Sequence, residues 1–523
     1  MENRFKESLL DKNTMSVTWE VVPGRGAREK AQESALAAAE AAAKGGKVHA
    51  ITITDNPGGN PAILADYLGM EILKLGIEPL VHFTCKDKNR NQMESQLYSL
   101  DRAGVRNLLV MTGDYPVTGY QGRPKPVFDL DPVHALELIG EMNNGLEVQG
   151  PKGPSYHQKS SFFAGAAVSP FKGKEAELMI QYYKLKKKIQ GGAQFIVTQL
   201  GYDARKFHEV LQFLKINNID IPVVGNIYIL PFGAAKVMNA NQIPGCVVPD
   251  KLLAEIDKER TAEDKGVGAR LLRAAKMYAF MKGMGFAGVH IGGHGIKYEQ
   301  VEYIIGKGEE LSKNWLELIP EFDYPQPKGF YYFEKDQATG LNTEKPVTRK
   351  GLPLDAPVNF GYSMMRMAHG LAFEPGTPFF PLMQSIYKGR KDSRAHGIEH
   401  IVKVISNDCK DCGDCALLDL AYLCPMSQCP KNQRNGACGG SYDGWCEAFP
   451  NEKQCVWVRA YARLKKYGEE EQLGNYCIPP ADWNLYQTSS WYNFFLGLDH
   501  SAKRLGITKP QVKNQEPDQK ANA

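Results

Sequence analysis

The sequence predicts an α/β fold, a (β/α)8 TIM barrel, followed by a C-terminal cysteine-rich metal- or cluster-binding domain. Three observations predict it. Strand-like and helix-like stretches alternate over roughly the first 290 residues, as that barrel requires. Polar residues recur at the C-terminal ends of those strands. Nine of the 11 cysteines lie between Cys409 and Cys477.

The strands are expected at 16–20, 47–54, 79–84, 106–111, 161–168, 194–199, 222–226 and 288–290. Each is a short apolar run bounded by turn residues. The helices are expected at 27–44, 61–75, 91–103, 132–142, 174–190, 204–217 and 262–284. The first is rich in Ala, Glu and Lys and stops at Gly45-Gly46. An open doubly wound sheet is the other option, but no GxGxxG follows the first strand. The barrel is expected over 1–315, a Pro- and aromatic-rich linker over 316–353, the cysteine-rich domain over 354–508 and a polar, disordered tail over 509–523. A helix-like stretch covers 455–473.

With 63 Lys+Arg against 59 Asp+Glu the net charge is +4, which offers no electrostatic case for nucleic acid or an anionic membrane. No apolar run approaches the roughly 18–20 residues that span a bilayer. Residues 1–13 are charged and lack the apolar stretch of a signal peptide. A cytoplasmic protein is the expectation, and in a reducing compartment clustered cysteines read as ligands rather than disulfides.

Barrel enzymes work at the C-terminal ends of their strands. Those ends carry Glu20, Thr54, His82, Thr112-Gly113-Asp114, Ser169, Gln199, Asn226 and His290, with His294 close behind. Taken singly, a Thr or Asn there is a helix cap or turn residue, and His82 is a core histidine. Taken together, Glu20, His82, Asp114 and Gln199 point into one pocket. A carboxyl in such a semi-apolar site is expected to have a raised pKa and to serve as a general acid.

Four segments carry a family resemblance. They are Trp19-Glu20-Val21-Val22-Pro23, the stretch from Glu78 to Cys85, Gly104-Val105-Arg106-Asn107 leading into Thr112-Gly113-Asp114-Tyr115-Pro116, and the stretch from Leu185 to Ala193 followed by Val197-Thr198-Gln199. In this order and spacing the first 300 or so residues resemble methylenetetrahydrofolate reductase, a flavin-dependent barrel family. The resemblance implies that Glu20 is the general acid toward the folate. It implies that Asp114 lies beside folate and flavin, and that Gln199 binds substrate. It also implies that Thr54, His82, Thr112, Gly113, Asp114 and Lys188 contact the flavin, Lys188 through its phosphate. Thr112 replaces a family arginine and a tyrosine near Val168-Ser169 is missing, so FAD and FMN both stay open.

The cysteines are spaced Cys409-x2-Cys412-x2-Cys415-x8-Cys424-x4-Cys429-x8-Cys438-x7-Cys446-x8-Cys455, with Cys477 beyond. Three thiols at x2 intervals, and Pro after Cys424 and Cys429, are features of ferredoxin-type ligation. Eight cysteines suffice for two [4Fe-4S] clusters, two zinc ions or one site of each kind. Gly439-Gly440 is expected to supply tight turns near the metal. The segment resembles the cysteine-rich C-terminal module associated with methylenetetrahydrofolate reductases of anaerobic one-carbon metabolism. The resemblance implies an oxidoreductase interconverting 5,10-methylene- and 5-methyltetrahydrofolate. Electrons would pass through the C-terminal clusters to or from a carrier protein or partner redox subunit, in a homo-oligomer. The rival expectations are the same barrel acting on a related pterin, and a zinc-stabilised folate-binding or assembly subunit.

Overall fold

The computed structural model describes residues 3–389, 394 and 397–507, so the expected disordered tail lies outside the described residues. The chain forms two compact units. One comprises Met1–Pro357 with Pro430–Cys477, the other Val358–Cys429 with Ile478–Ala523.

The first unit is built on a closed parallel barrel whose strands are hydrogen-bonded in the order β1-β8-β7-β6-β5-β4-β3-β2. They are β1 (Ser16–Val21), β2 (Ala50–Ile53), β3 (Glu78–Thr84), β4 (Asn107–Met111), β5 (Phe163–Val168), β6 (Phe195–Thr198), β7 (Val223–Tyr228) and β8 (Gly288–Gly292). All eight coincide with the expected strands, because strands covered on both faces read as short continuous apolar runs. The barrel closes through β1 and β8, where Thr18 pairs with His290.

Helices α1 (Arg4–Leu10), α2 (Lys30–Gly45), α3 (Ala65–Lys74), α4 (Arg90–Ala103), α5 (Pro132–Asn144), α6 (Glu175–Gln190) and α7 (Ala204–Ile216) belong to this unit. So do α8 (Phe232–Asn239), α9 (Asp250–Glu259), α10 (Val267–Met284) and α11 (Tyr298–Leu311). Sequence periodicity missed α1, whose Phe5 and Leu9 pack in one buried cluster with Leu80, Leu109, Phe163 and Phe195. Phe163 and Phe195 stack with centroids 4.9 Å apart, and Phe5 meets Phe195 edge-on at 5.5 Å.

The stretch expected as a linker is packed structure. It holds a 3-10 segment (Ser312–Phe322) and an antiparallel hairpin of Phe333–Lys335 with Asn342–Pro346. Phe333 is fully buried, and Arg205 of α7 donates to Asn342 Oδ1 at 2.8 Å. Its aromatics follow neither helical nor strand spacing, which is why the pattern gave no element.

The expected single cysteine-rich domain is also corrected. Residues 430–477 belong to the barrel unit, and the remaining cysteines belong to the other. Residues 430–447 form a strap against α5 and α6, and helix Val456–Lys465 lies beyond it. The strap is held mainly through its own backbone. Lys184 donates to Gly436 O at 3.0 Å and Gln181 to Cys438 O at 3.0 Å. Lys172 donates to Gly439 O at 2.6 Å. Asp131, at the N-terminus of α5, caps Val133 N at 2.9 Å and also accepts from Asn435 N at 2.8 Å.

The second unit contains α12 (Phe360–Ala372), α13 (Phe380–Lys388), α14 (Ile398–Asn407) and the single turn Pro425–Gln428. Its last two helices are Ser490–Phe495 and His500–Arg504. Phe380, Tyr387, Phe494, Phe495, Ala502 and Ile507 form its apolar core.

Candidate active site

A polar cluster occupies the barrel lumen. His290 of β8 lies 2.9 Å from Thr18 Oγ1 through Nδ1 and 3.3 Å from Glu20 Oε2 through Nε2. A neutral imidazole has one donor and one acceptor nitrogen. Thr18 donating to Nδ1 therefore leaves Nε2–H to donate to Glu20. Burial would push the Glu20 carboxyl up, but the influences of the neighbouring imidazoles, the His290 hydrogen bond first among them, outweigh it. The carboxyl is held below the ordinary carboxylate range. This corrects the expected raised pKa: Glu20 does not sit alone in an apolar pocket, because β8 brings an imidazole to it. His82 on β3 is pushed down to about 4 by burial, which keeps its imidazole neutral near neutral pH.

Thr54 follows β2, Asp114 follows β4, and Gln199 follows β6. Asp114 Oδ2 accepts from Gly58 N at 2.7 Å, which ties it to the loop after β2. Gln199 Oε1 accepts from Leu200 N at 2.8 Å, leaving the amide NH2 for another partner. His294 is exposed and does not join His290.

The residues expected around a flavin divide into two groups. Thr54 Oγ1 and His82 Nε2 are buried with no hydrogen-bond partner among the described residues, as is Ser169 Oγ, a strand-end residue outside the expected flavin contacts. Buried polar atoms are costly without partners, so these positions fit a polar, ring-bearing ligand in the mouth. Thr112, Gly113 and Lys188 are already engaged by the chain itself. Thr112 Oγ1 donates to Gln433 Oε1 at 3.1 Å, and Lys431 of the strap donates to Gly113 O at 2.8 Å. Lys188 Nζ donates to Ala167 O at 2.5 Å. Burial and the neighbouring Lys184 charge bring its pKa down to about 7. A phosphate contact by Lys188 therefore does not fit this arrangement, because its ammonium faces a strand carbonyl under the strap.

Sequence reasoning missed Lys431, Gln433 and Glu447. Lys431 and Glu447 form a buried ion pair, and Glu447 Oε2 also accepts from Cys438 Sγ at 3.3 Å. Gly440 lies so close to Glu447 that an added Cβ would stand 1.8 Å from its carboxylate. Neither Gly439 nor Gly440 has a positive φ, so close approach, rather than a tight turn at a metal, explains the glycine. The available signal was the lysine density of α6, at 184, 186, 187 and 188, which demands partners if that helix is covered.

In the second unit, Cys409, Cys412, Cys415 and Cys424 line one cavity of about 480 Å³, together with Lys403 and Asp411. Asp408 and Asp411 adopt left-handed backbone there. Asp414, between the ligand candidates, accepts from His500 N at 3.1 Å and faces His500 Nδ1 at 2.5 Å. His500 Nε2 lies 2.9 Å from Asp419. Cys429 belongs to the same unit but does not line the cavity. Cys438, Cys446 and Cys455 belong to the barrel unit. Among the described residues, no three His, Cys, Asp or Glu side chains stand close enough together to hold a single metal ion. Also among them, no helix is long and apolar enough to cross a membrane.

The sequence matches the family described as Methylenetetrahydrofolate reductase over residues 5–301, and Methylene-tetrahydrofolate reductase C terminal over residues 389–484. Methylenetetrahydrofolate reductase 2 of Saccharomyces cerevisiae is 24% identical over 232 residues, 42% of this chain and 36% of that protein. The 5,10-methylenetetrahydrofolate reductase of Pectobacterium carotovorum is 25% identical over 154 residues, 29% of this chain and 44% of that protein. The chain thus spans less than half the length of these relatives. An uncharacterized protein from Clostridium thermocellum, described as binding two copies of 5-methyl-5,6,7,8-tetrahydrofolic acid, overlays with a TM-score of 0.42. It is 13% identical and is covered over 99% of its length, against 59% of this chain. With an eight-stranded barrel and a family match across more than half of its residues, the chain belongs to the methylenetetrahydrofolate reductase family.

Proposed function

We propose that the barrel interconverts 5,10-methylene- and 5-methyltetrahydrofolate, and that the second unit relays electrons through a thiolate-bound cluster. The observation that carries the barrel reading is the Glu20–His290 pair in the lumen of a barrel of this family. A flavin, FAD or FMN, would supply hydride chemistry at the methylene carbon. Thr54, His82 and Asp114 are the residues that would hold its ring, and the phosphate arm would need partners other than Lys188.

The chain's own residues manage the proton. Opening the folate's imidazolidine ring needs a proton at N10, and Glu20 is the carboxyl that would deliver it. It would do so from its protonated form, which the His290 hydrogen bond keeps the minor one. His290 orients that carboxyl by donating Nε2–H to it, while Thr18 fixes the His290 tautomer. Asp114, braced by Gly58, would take the donors of the pterin ring. Gln199, with its oxygen already engaged, would present its NH2 to a pterin acceptor.

For the relay, four thiols around a cavity, rather than converging on a point, suit a polynuclear [4Fe-4S] cluster better than one zinc ion with bonds of about 2.3 Å. Reading the site this way reduces two four-thiol sites to one, at Cys409, Cys412, Cys415 and Cys424. The thiols Cys438, Cys446 and Cys455 are left outside it. The test is anaerobic purification with a visible spectrum, iron and zinc analysis, and folate turnover using a reduced viologen dye or NADH. Flavin absorbance, iron and dye-driven turnover are expected. Zinc without iron, or full turnover with NADH alone, overturns the relay; absence of folate turnover with either donor overturns the barrel reading.

A further inference from the structure

Helix α14 is inside out. Its polar residues Glu399, Lys403 and Asn407 are buried, four residues apart along one face, while Ile398, Ile401 and Ile405 are exposed. A surface helix ordinarily turns its apolar stripe inward. Here a buried charge pair takes the place that isoleucines of the same helix could fill. Replacing a buried ion pair by apolar residues of similar volume is often neutral or stabilising, so stability alone does not select this arrangement. The buried face is a wall of the cysteine cavity, which Glu399, Lys403 and Asn407 line together with Cys409, Cys412, Cys415 and Cys424.

The Lys403 ammonium has three protons and meets three acceptors. Nζ donates to Glu399 Oε1 at 2.8 Å, to Ser490 Oγ, and to Cys415 Sγ at 3.7 Å. Glu399 in turn accepts from Ser490 Oγ at 2.8 Å, from Trp491 N at 3.1 Å and from Ser489 Oγ. The Lys403 and Glu399 side chains are only 8% and 3% exposed. Lys410, the other cation on the cavity wall, is exposed, so water screens its charge far more than that of Lys403. Cys409 and Cys412 face oxygen atoms, Asp411 Oδ1 at 3.7 Å and Asp414 O at 3.8 Å. The fixed cation is thus aimed at Cys415.

We propose that Lys403 is a positioning residue whose ammonium, braced by Glu399 and donating to Cys415 Sγ, raises the potential at which the four-thiol site takes up an electron. This rests on the reading of Cys409, Cys412, Cys415 and Cys424 as one cluster site. The electron is the one the proposed relay carries, from a carrier protein or a flavin. Reduction adds one negative charge to the site, and no protein bond forms or breaks. A cation hydrogen-bonded to a ligand sulfur stabilises that added charge, and net charge and hydrogen bonds to the sulfurs are what set such potentials. Glu399 has two opposed effects. It holds the ammonium in place, while its own negative charge, one hydrogen bond further from the sulfur, offsets part of the shift.

The test uses the full chain, purified anaerobically, with iron analysis followed by a redox titration monitored by electron paramagnetic resonance. Lys403→Gln keeps a hydrogen-bond donor but removes the charge. It should shift the reduction equilibrium at least tenfold toward the oxidised state, a midpoint lower by about 59 mV for one electron. Glu399→Gln should move the midpoint upward, and Lys403→Arg should leave it close to that of the wild type. A purely structural pair would not give opposite signs in the two neutralising variants. If Lys403→Gln loses its iron, the upward shift in Glu399→Gln decides alone. A midpoint unmoved in the neutralising variants that keep iron, or moved the same way in both, overturns the proposal and leaves the relay reading standing. Loss of iron from all three variants marks the pair as structural and also overturns it. A wild-type chain without iron overturns the relay reading, and this proposal with it.

Discussion

Replacing His290 by Leu tests the proton-holding pair directly. Glu20 is held below the ordinary carboxylate range although burial pushes it upward, and the largest opposing influence is the His290 hydrogen bond. His290 is 3% exposed and Glu20 21%, so water cannot replace much of the lost donor. His82 cannot substitute, because an imidazole at about 4 carries no charge near neutral pH. A hydrogen bond to a charged acceptor contributes about 1.5–3 kcal/mol, and one pKa unit corresponds to about 1.36 kcal/mol. With burial left as the largest influence, the carboxyl should therefore rise from below to above the ordinary carboxylate range. The assay is an infrared titration of the carboxyl band in the purified chain, with Glu20→Gln as the blank. In turnover, the limb on which activity falls with rising pH should move upward by the same amount, since a general acid must be protonated. A Glu20 titration unchanged by His290→Leu, or shifted downward, would refute the pairing.

Other outcomes follow from separate parts of the molecule. Lys431→Met should destabilise the barrel unit by roughly 3–5 kcal/mol in denaturant unfolding, because Glu447 is left buried and unpaired, and adding Glu447→Gln should restore much of the loss. Cys415→Ser should abolish bound iron, whereas Cys446→Ser and Cys455→Ser should retain it; equal losses from all three would contradict the four-thiol assignment. His500 is also pH-sensitive. Burial lowers its pKa, but hydrogen bonds to Asp414 and Asp419 outweigh this and raise it above 6.5. Its contribution to the second unit is thus fully present below about 6.5 and lost as pH rises through the folded value. Thermal melting of that unit should fall with rising pH over this window in the wild type and not in His500→Gln.

The amino-acid sequence alone determined the barrel, since alternating apolar runs of strand length and helical stripes are local properties that survive without tertiary information. It also located Glu20, Asp114 and Gln199 at strand ends, because motif and strand end coincide there. Tertiary structure decided three things. His290 became the partner of Glu20 only when β8 closed on β1, a pairing some 270 residues distant in the chain. Lys188 reads as a phosphate ligand in the sequence, yet tertiary structure satisfies it through Ala167 O of β5, and its neighbour Lys184 through the strap. The acceptors are largely carbonyl oxygens, which every residue has and no side chain advertises. The cysteines form one run in the sequence, but the chain leaves the second unit at Cys429 and returns at Ile478. Proximity along the chain therefore joined thiols that folding assigns to separate bodies.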